Sequence, residues 1–191
     1  MLIGGLSQRM GRDKALIRLG GKPLLEYVLE KLAEIFPEII LIGQNRAGLE
    51  KYGQIFPDLV PGLGPVSGIY TALKTLNRPV FVCGCDMPFL SSELIRFQLK
   101  VLEDFDAVVP RPGKFYEPLH ALYAPACLPA IERLVKSGGK RPVEFFARIR
   151  IREIADQELN RLAPDRLSFF NINTREELAQ AEKLIKEMLR K

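Results

Sequence analysis

The chain has 191 residues, 47% of them apolar and 27% charged, enough to bury a sizeable core and ordinary for a soluble globular protein. No run approaches the roughly 20 apolar residues of a membrane span and no basic-then-apolar leader is present, so a cytoplasmic protein is expected. The formal net charge of +5 comes from scattered Lys and Arg, which suits an anionic small molecule and calls for neither nucleic acid nor a membrane surface. Cys83, Cys85 and Cys127 make no disulfide framework, and Cys83-x-Cys85 lacks a second ligand pair, with the single histidine, His120, far away; they read as small buried residues.

In chain order, Met1-Leu2-Ile3 reads as a strand end running straight into a glycine loop. At three residues it is short against the usual five or six, as a truncated strand or a start downstream of the natural one would make it. Pro23 opens a helix with Leu24, Leu25, Val28, Leu29 and Leu32 at helical spacing. The apolar run 39–42 has buried-strand length and ends in Gly43-Gln44-Asn45. Residues 58–65 have loop chemistry, and a helix is expected over 66–76. A second buried strand, 80–83, stops at Gly84-Cys85-Asp86-Met87-Pro88. Ser91 or Ser92 caps a helix to about Leu102, and Ala107-Val108-Val109 is a further strand.

Short strands alternating with helices predict an α/β fold: a Rossmann-like three-layer sandwich with a mostly parallel central sheet and helices on both faces. Ligands then bind beyond the carboxyl ends of the strands, where the glycine loop, Asn45 and Asp86 all fall. The second half is less regular. It reads as a strand over 118–123, helices over 125–135 and 142–147, and a half-exposed strand over 149–152. Asn171 and Asn173, alternating on a strand, can both face one ligand; alternatively Asn173 merely precedes a helix cap. They lead into the capping box Thr174-x-x-Glu177 of a last helix with Leu178, Ala181, Leu184, Ile185 and Met188 on one face. No repeat or linker interrupts residues 1–191, so one domain is expected.

The loop carries the chemistry. Gly4, Gly5 and Gly11 let consecutive amide N–H groups turn inward as an anion-binding nest, and Arg9, Arg12 and Lys14 surround it with positive charge. The spacing is neither Walker A nor G-x-G-x-x-G. A surface turn with ordinary basic residues accounts for the glycines alone. The run Gly4-Gly5-x-Ser7-x-Arg9-Met10-Gly11-x-Asp13-Lys14-Ala15 resembles the signature loop of nucleotidyltransferases, and most of all that of the molybdenum cofactor guanylyltransferases (the MobA family). That resemblance extends through most of the chain and implies a nucleotide-diphospho-sugar-transferase-like fold.

Further segments carry it onward. Asp86 follows an apolar strand and a glycine, where a single carboxylate suffices for Mg²⁺ because water and substrate phosphates complete the octahedron; a turn former would look the same. Cys85-Asp86-Met87-Pro88 resembles the family's C-D-x-P segment, whose aspartate binds Mg²⁺. Asp58 can accept two hydrogen bonds side by side, as the guanine N–H pair requires, or is a turn residue before Pro61-Gly62. Gly64-Pro65-Val66-Ser67-Gly68 is similar to G-P-L-x-G, with departures at Val66 and Ser67, and Asn45 matches an asparagine after the second strand. Asn171-Ile172-Asn173-Thr174 matches N-x-N-T. His120 lies in a segment resembling the family's, yet a structural role explains it equally well, and no proton transfer is assigned to it.

The resemblance thus implies GTP bound by Leu2, Ile3, Gly4, Gly5, Ser7, Gly11, Lys14, Asn45, Asp58, Gly64, Pro65 and Asp86. It implies Lys14, Arg9 and Asp86 as catalytic, Asp86 as the Mg²⁺ ligand, and Asn171 and Asn173 beside molybdopterin. The implied reaction transfers GMP from GTP to the terminal phosphate of molybdopterin, or of its molybdenum-bound form, releasing pyrophosphate. Transient contact with cofactor-synthesis or acceptor proteins is a further expectation. The alternatives are a sister transferase using CTP or a sugar or isoprenoid phosphate, and a nucleotide-binding regulator without turnover. Gly4 speaks against the cytidylyl enzymes, which tend to carry alanine there, and the pair Lys14 and Asp86 speaks against the regulator.

Overall fold

The computed structural model describes residues 1–4, 6–7 and 12–188. Two short antiparallel pairs come first, β1 (Leu6–Ser7) with β2 (Arg12–Asp13), and β3 (Arg18–Leu19) with β4 (Lys22–Pro23). Then follow α1 (Leu24–Ala33), β5 (Leu41–Ile42), β6 (Ile55–Phe56), α2 (Pro65–Leu76), β7 (Val80–Cys83), α3 (Ser92–Lys100), β8 (Ala107–Pro110) and β9 (His120–Tyr123). The chain continues with α4 (Leu128–Lys136), α5 (Val143–Phe146), β10 (Ile151–Ile154), α6 (Asp156–Leu162) and α7 (Arg175–Met188).

The strands line up as β10-β8-β9-β7, then the N-terminal segment, then β5-β6. Leu2 bridges Ile42 on one side and Gly84 on the other, both in parallel. Its N–H donates to the Cys83 carbonyl (2.8 Å), and the Ile3 N–H donates to Ile42 (2.9 Å). The short strand expected at Met1-Leu2-Ile3 is therefore the middle of the sheet. All the neighbouring pairs in this order are parallel except those made by β9, which is antiparallel to both β7 and β8. No helix links β8 to β9, so the chain reverses there instead of crossing over. The mostly parallel α/β sandwich is observed.

Period-2 alternation sorts the side chains onto two faces. Leu2, Ile42, Val82, Ala107, Val109 and Ala121 meet Val66, Ile69 and Leu73 of α2 and Ala130 and Ile131 of α4. Ile3, Leu41 and Cys83 point the other way, onto Leu25, Val28 and Leu32 of α1 and Ile95 of α3. Val108 and Leu122 also face that side, against Leu94, Leu159 and Leu162. Helix α2 sits close to the central strand because Gly68 has no side chain: a Cβ there would stand 2.6 Å from Leu2 Cδ2.

Two elements differ from expectation. The strand sought at 149–152 lies at Ile151–Ile154, because the amides of Arg148 and Ile149 are used to close the turn after α5, bonding to the Phe145 and Phe146 carbonyls. Register with β8 then pairs Ile151 with Ala107 and Ile154 with Pro110. Residues 171–173 are not a strand. Leu167–Phe169 forms a 3₁₀ turn, after which Ile172 donates to the Asp86 carbonyl at 2.9 Å, next to the capping box. That box is formed as expected: Glu177 accepts from the Asn173 and Thr174 amides, and Thr174 Oγ1 accepts from the Glu177 amide. On α7, Ala181 is buried with Leu178 and Ile185 against it, while Met188 is exposed beyond the core. Among the described residues no helix is long and apolar enough to cross a membrane.

Candidate active site

Three strand ends converge at one edge of the sheet: Ile3 into Gly4, Ile42 into Gly43, and Cys83 into Gly84. Strand β9 brings its opposite end there, with His120 paired to Cys83. Gly4 turns the chain out of the sheet with φ +27°, a conformation that side chains resist. The chain returns through β2, and Asp13 caps a 3₁₀ turn, Lys14–Leu16, by accepting from the Ala15 amide at 3.1 Å. Gly5, Arg9, Gly11 and the side chain of Ser7 lie outside the described residues.

Lys14 Nζ donates to Asp86 Oδ2 at 3.0 Å and to Asn173 Oδ1. Residues from three distant parts of the chain therefore meet at one ammonium. The Lys14 and Asp86 side chains keep 21% and 17% of their exposure, so the pair is partly withdrawn from water yet open to a ligand. Asp86 is held in place by its own carbonyl, which accepts from Ile172. Two hard oxygen donors already converge on a cation here, and that donor set fits Mg²⁺, which needs only one or two protein oxygens. Among the described residues no three His, Cys, Asp or Glu side chains cluster as a metal site. Asn171 does not join this group: its Nδ2 donates back to the Phe169 carbonyl at 3.1 Å. The expectation that Asn171 and Asn173 face one ligand from a shared strand is thus corrected, because the 3₁₀ turn rotates Asn171 onto its own backbone.

A second group lies at the start of α2. Gly64 is the N-cap and Pro65 the first helical residue, and one turn on Gly68 packs against Leu2 of the central segment. Asp58 precedes them on a half-buried loop. Burial raises the pKa of its carboxyl, and the Ser67 hydroxyl opposes part of the rise. Leu59, next to it, is anchored through its amide to Thr71 Oγ1 at 3.0 Å.

Asn45 is exposed, and it is its neighbour, Arg46, that reaches the loop. The Arg46 guanidinium donates to the carbonyls of Ile3 (2.6 Å) and Gly4 (2.7 Å) and to both oxygens of Asp13. Sequence reasoning missed this residue. The available signal was Asp13, an acid amid Arg9, Arg12 and Lys14, directly before the lysine that meets Asp86.

His120 is fully buried between the rings of Phe81 and Phe169, with Nε2 2.7 Å from Ser168 Oγ. Burial pushes its pKa down to about 4, so the ring is neutral and packs as a core side chain. The cysteines are equally internal: burial raises Cys83 to about 11 and Cys127 to about 12, and raises Cys85 as well.

Residues 1–151 match the MobA-like NTP transferase domain family. The chain is 36% identical over 187 residues to a probable molybdenum cofactor guanylyltransferase of Pelotomaculum thermopropionicum, covering 95% of this chain and 89% of the relative. It superposes on the crystal structure of molybdopterin-guanine dinucleotide biosynthesis protein A from Archaeoglobus fulgidus with a TM-score of 0.86, 30% identity and 97% coverage of both chains. A 2-C-methyl-D-erythritol 4-phosphate cytidylyltransferase from Thermus thermophilus, at 17% identity, shares the fold with a TM-score of 0.66 over 91% of this chain and 94% of that one.

Proposed function

The chain belongs to the MobA-like NTP transferase family, and from that premise we propose that it transfers GMP from GTP to the terminal phosphate of molybdopterin, or of its molybdenum-bound form. The observation that carries this reading is the meeting of Lys14, Asp86 and Asn173 beside the glycine loop. The acceptor's phosphate oxygen forms a bond to the α-phosphorus of GTP as the bond to the β-phosphate oxygen breaks, and pyrophosphate leaves. A phosphate monoester is largely ionised near neutral pH, so the residues need supply no general base, and His120 is not asked to act as one.

Catalysis is then positioning and charge neutralisation. Lys14 donates to phosphate oxygens, and Arg9 and the amides of Gly5, Ser7 and Gly11, from the same stretch of sequence, are assigned to the phosphates with it. Asp86, with Asn173 beside it, is suited to hold Mg²⁺, which when bound supplies further positive charge on the phosphates. At the other end of the nucleotide, Asp58 accepts the guanine N–H pair. Gly64 and Pro65 open α2 over the base, and Leu2, Ile3, Gly4 and Asn45 form the floor and side of the site. Asn173 stands where the two substrates meet. We take residues 1–191 as one cytoplasmic nucleotidyltransferase unit.

The test is purified protein with Mg²⁺, molybdopterin and each of GTP, ATP, CTP and UTP, read by pyrophosphate release and product mass. The expected product is the guanine dinucleotide. Equal use of the four nucleotides, or no product with any, would overturn the reading.

A further inference from the structure

Among the described residues, Arg46 makes four hydrogen bonds to the two limbs of the loop. Its NH1 donates to Gly4 O at 2.7 Å, its NH2 to Ile3 O at 2.6 Å and to Asp13 Oδ1 at 3.0 Å, and its Nε to Asp13 Oδ2. Ile3 and Gly4 are where the chain leaves the sheet, and Asp13 is where it comes back, so one planar guanidinium spans both limbs of the loop. The side chains of Arg46 and Asp13 are only 14% and 13% exposed, so these charge-assisted bonds are largely shielded from water. Asp13 passes the constraint on: its Oδ1 also accepts from the Ala15 amide, capping the turn that begins with Lys14. The guanidinium is committed to these acceptors, with little left to offer a phosphate.

We infer that Arg46 is a positioning residue for the transfer reaction, a staple that fixes the separation of the loop's two limbs and acts through Asp13 to aim Lys14 at Asp86. This role rests on the guanylyl-transfer reading. A lysine cannot replace it, because a single ammonium lacks the fork that serves two backbone carbonyls and a carboxylate at once.

The experiment is a double-mutant cycle on Arg46→Ala and Asp13→Asn, with Arg46→Lys alongside. It reads kcat and KM for GTP, the Mg²⁺ optimum and the melting temperature. A misplacement of about 1 Å can cost about 10²-fold in rate. Each single variant should therefore lose about that much in kcat/KM, the double variant should lose no more than the worse single, and Arg46→Lys should regain less than tenfold. The Mg²⁺ optimum should stay where it is. The inference is overturned if Arg46→Ala stays within about threefold of the unaltered protein, or if the single losses multiply in the double variant. It is also overturned if Asp13→Asn is silent while Arg46→Ala is not, since Arg46 would then be touching substrate directly. Amide exchange at Ala15, followed by NMR without substrate, reads the staple independently of turnover. It should accelerate in Arg46→Ala while the exchange of β7 and β9 is unchanged, and unchanged exchange at Ala15 defeats the staple. Pyrophosphate release absent from the unaltered protein would defeat the transfer reading instead.

Discussion

Lys14 is at the centre of the site because a carboxylate oxygen and an amide oxygen from remote segments converge on it. Its charge and that of Asp86 have separable consequences. Removing one preorganised donor to a charge-developing oxygen typically costs about 2.7–4 kcal/mol, or roughly a hundred- to a thousandfold in rate. Lys14→Ala should lose that much while keeping a nearly normal Mg²⁺ optimum, whereas Asp86→Ala should lose rate and shift its Mg²⁺ requirement upward. Mg²⁺ titrations of pyrophosphate release in both variants check this, and a folded Asp86→Ala with the unaltered Mg²⁺ curve and rate would remove the metal from that carboxylate. At the other end of the site, if Asp58 is the guanine acceptor as proposed, Asp58→Ala leaves the N–H pair without a partner. An unpaired buried polar group costs about 1–3 kcal/mol, so preference for GTP over ATP should fall by roughly tenfold or more. Burial raises the Asp58 carboxyl, and only the ionised form accepts both bonds. GTP preference should therefore weaken on acidification at a higher pH than a fully exposed carboxylate would require, and KM ratios for GTP and ATP across pH measure it.

At the scale of elements, the apolar runs told their own positions. Strand β7 lies where its four apolar residues stand, and α2 begins one residue before the expected start because Pro65 is a natural first helical residue. What the pattern could not supply was partnership. Nothing local to 149–154 says which residue pairs with Ala107, and nothing local to 167–173 says that Ile172 will bond to the Asp86 carbonyl in place of a strand neighbour. The site divides the same way. Lys14, Asp86 and Asn173 sit in motifs long enough to recognise, while Arg46 acts through an ion pair with a residue 33 positions earlier. Asn45, its neighbour, is legible as a motif position, whereas the partners of Arg46 are set only by the fold. The contact between α2 and the central strand gives a prediction at this scale. Gly68→Ala drives a methyl group to 2.6–2.7 Å from both Cδ atoms of Leu2, a buried side chain that must then re-pack. Overpacking of this kind costs about 1–3 kcal/mol, to be read from urea unfolding midpoints. Because Leu2 lies two residues before Gly4, KM for GTP should rise together with the loss of stability; a stable variant with unchanged KM would show that α2 can move aside without disturbing the loop.

The whole molecule is tied across its layers at His120. The ring lies on β9, between Phe81 of β7 and Phe169 of the turn that leads to Asn173, while the residue's carbonyl accepts from Gln98 of α3 at 2.8 Å. Its Nε2 meets Ser168, and its Nδ1 has no partner among the described residues. A charged imidazolium here would lack both water and a counter-charge, which is why burial pushes the pKa from 6.5 to about 4. Linkage then fixes the direction of the pH effect. Above 6.5 the ring is neutral in both states and contributes no pH dependence. Between 6.5 and 4 the unfolded chain binds a proton that the folded protein refuses, so stability falls as pH falls, and below 4 the loss is complete. At 1.36 kcal/mol for each tenfold in proton affinity, the full loss is about 3 kcal/mol, of which about 2 kcal/mol is gone by pH 5. Urea unfolding at pH 7 and pH 5 should show that drop in the unaltered protein. His120→Leu, whatever its stability at pH 7, should show a smaller one, because no ring remains to titrate in the unfolded chain. Equal drops in the two proteins would mean that the buried ring is not what couples folding to protons over this range.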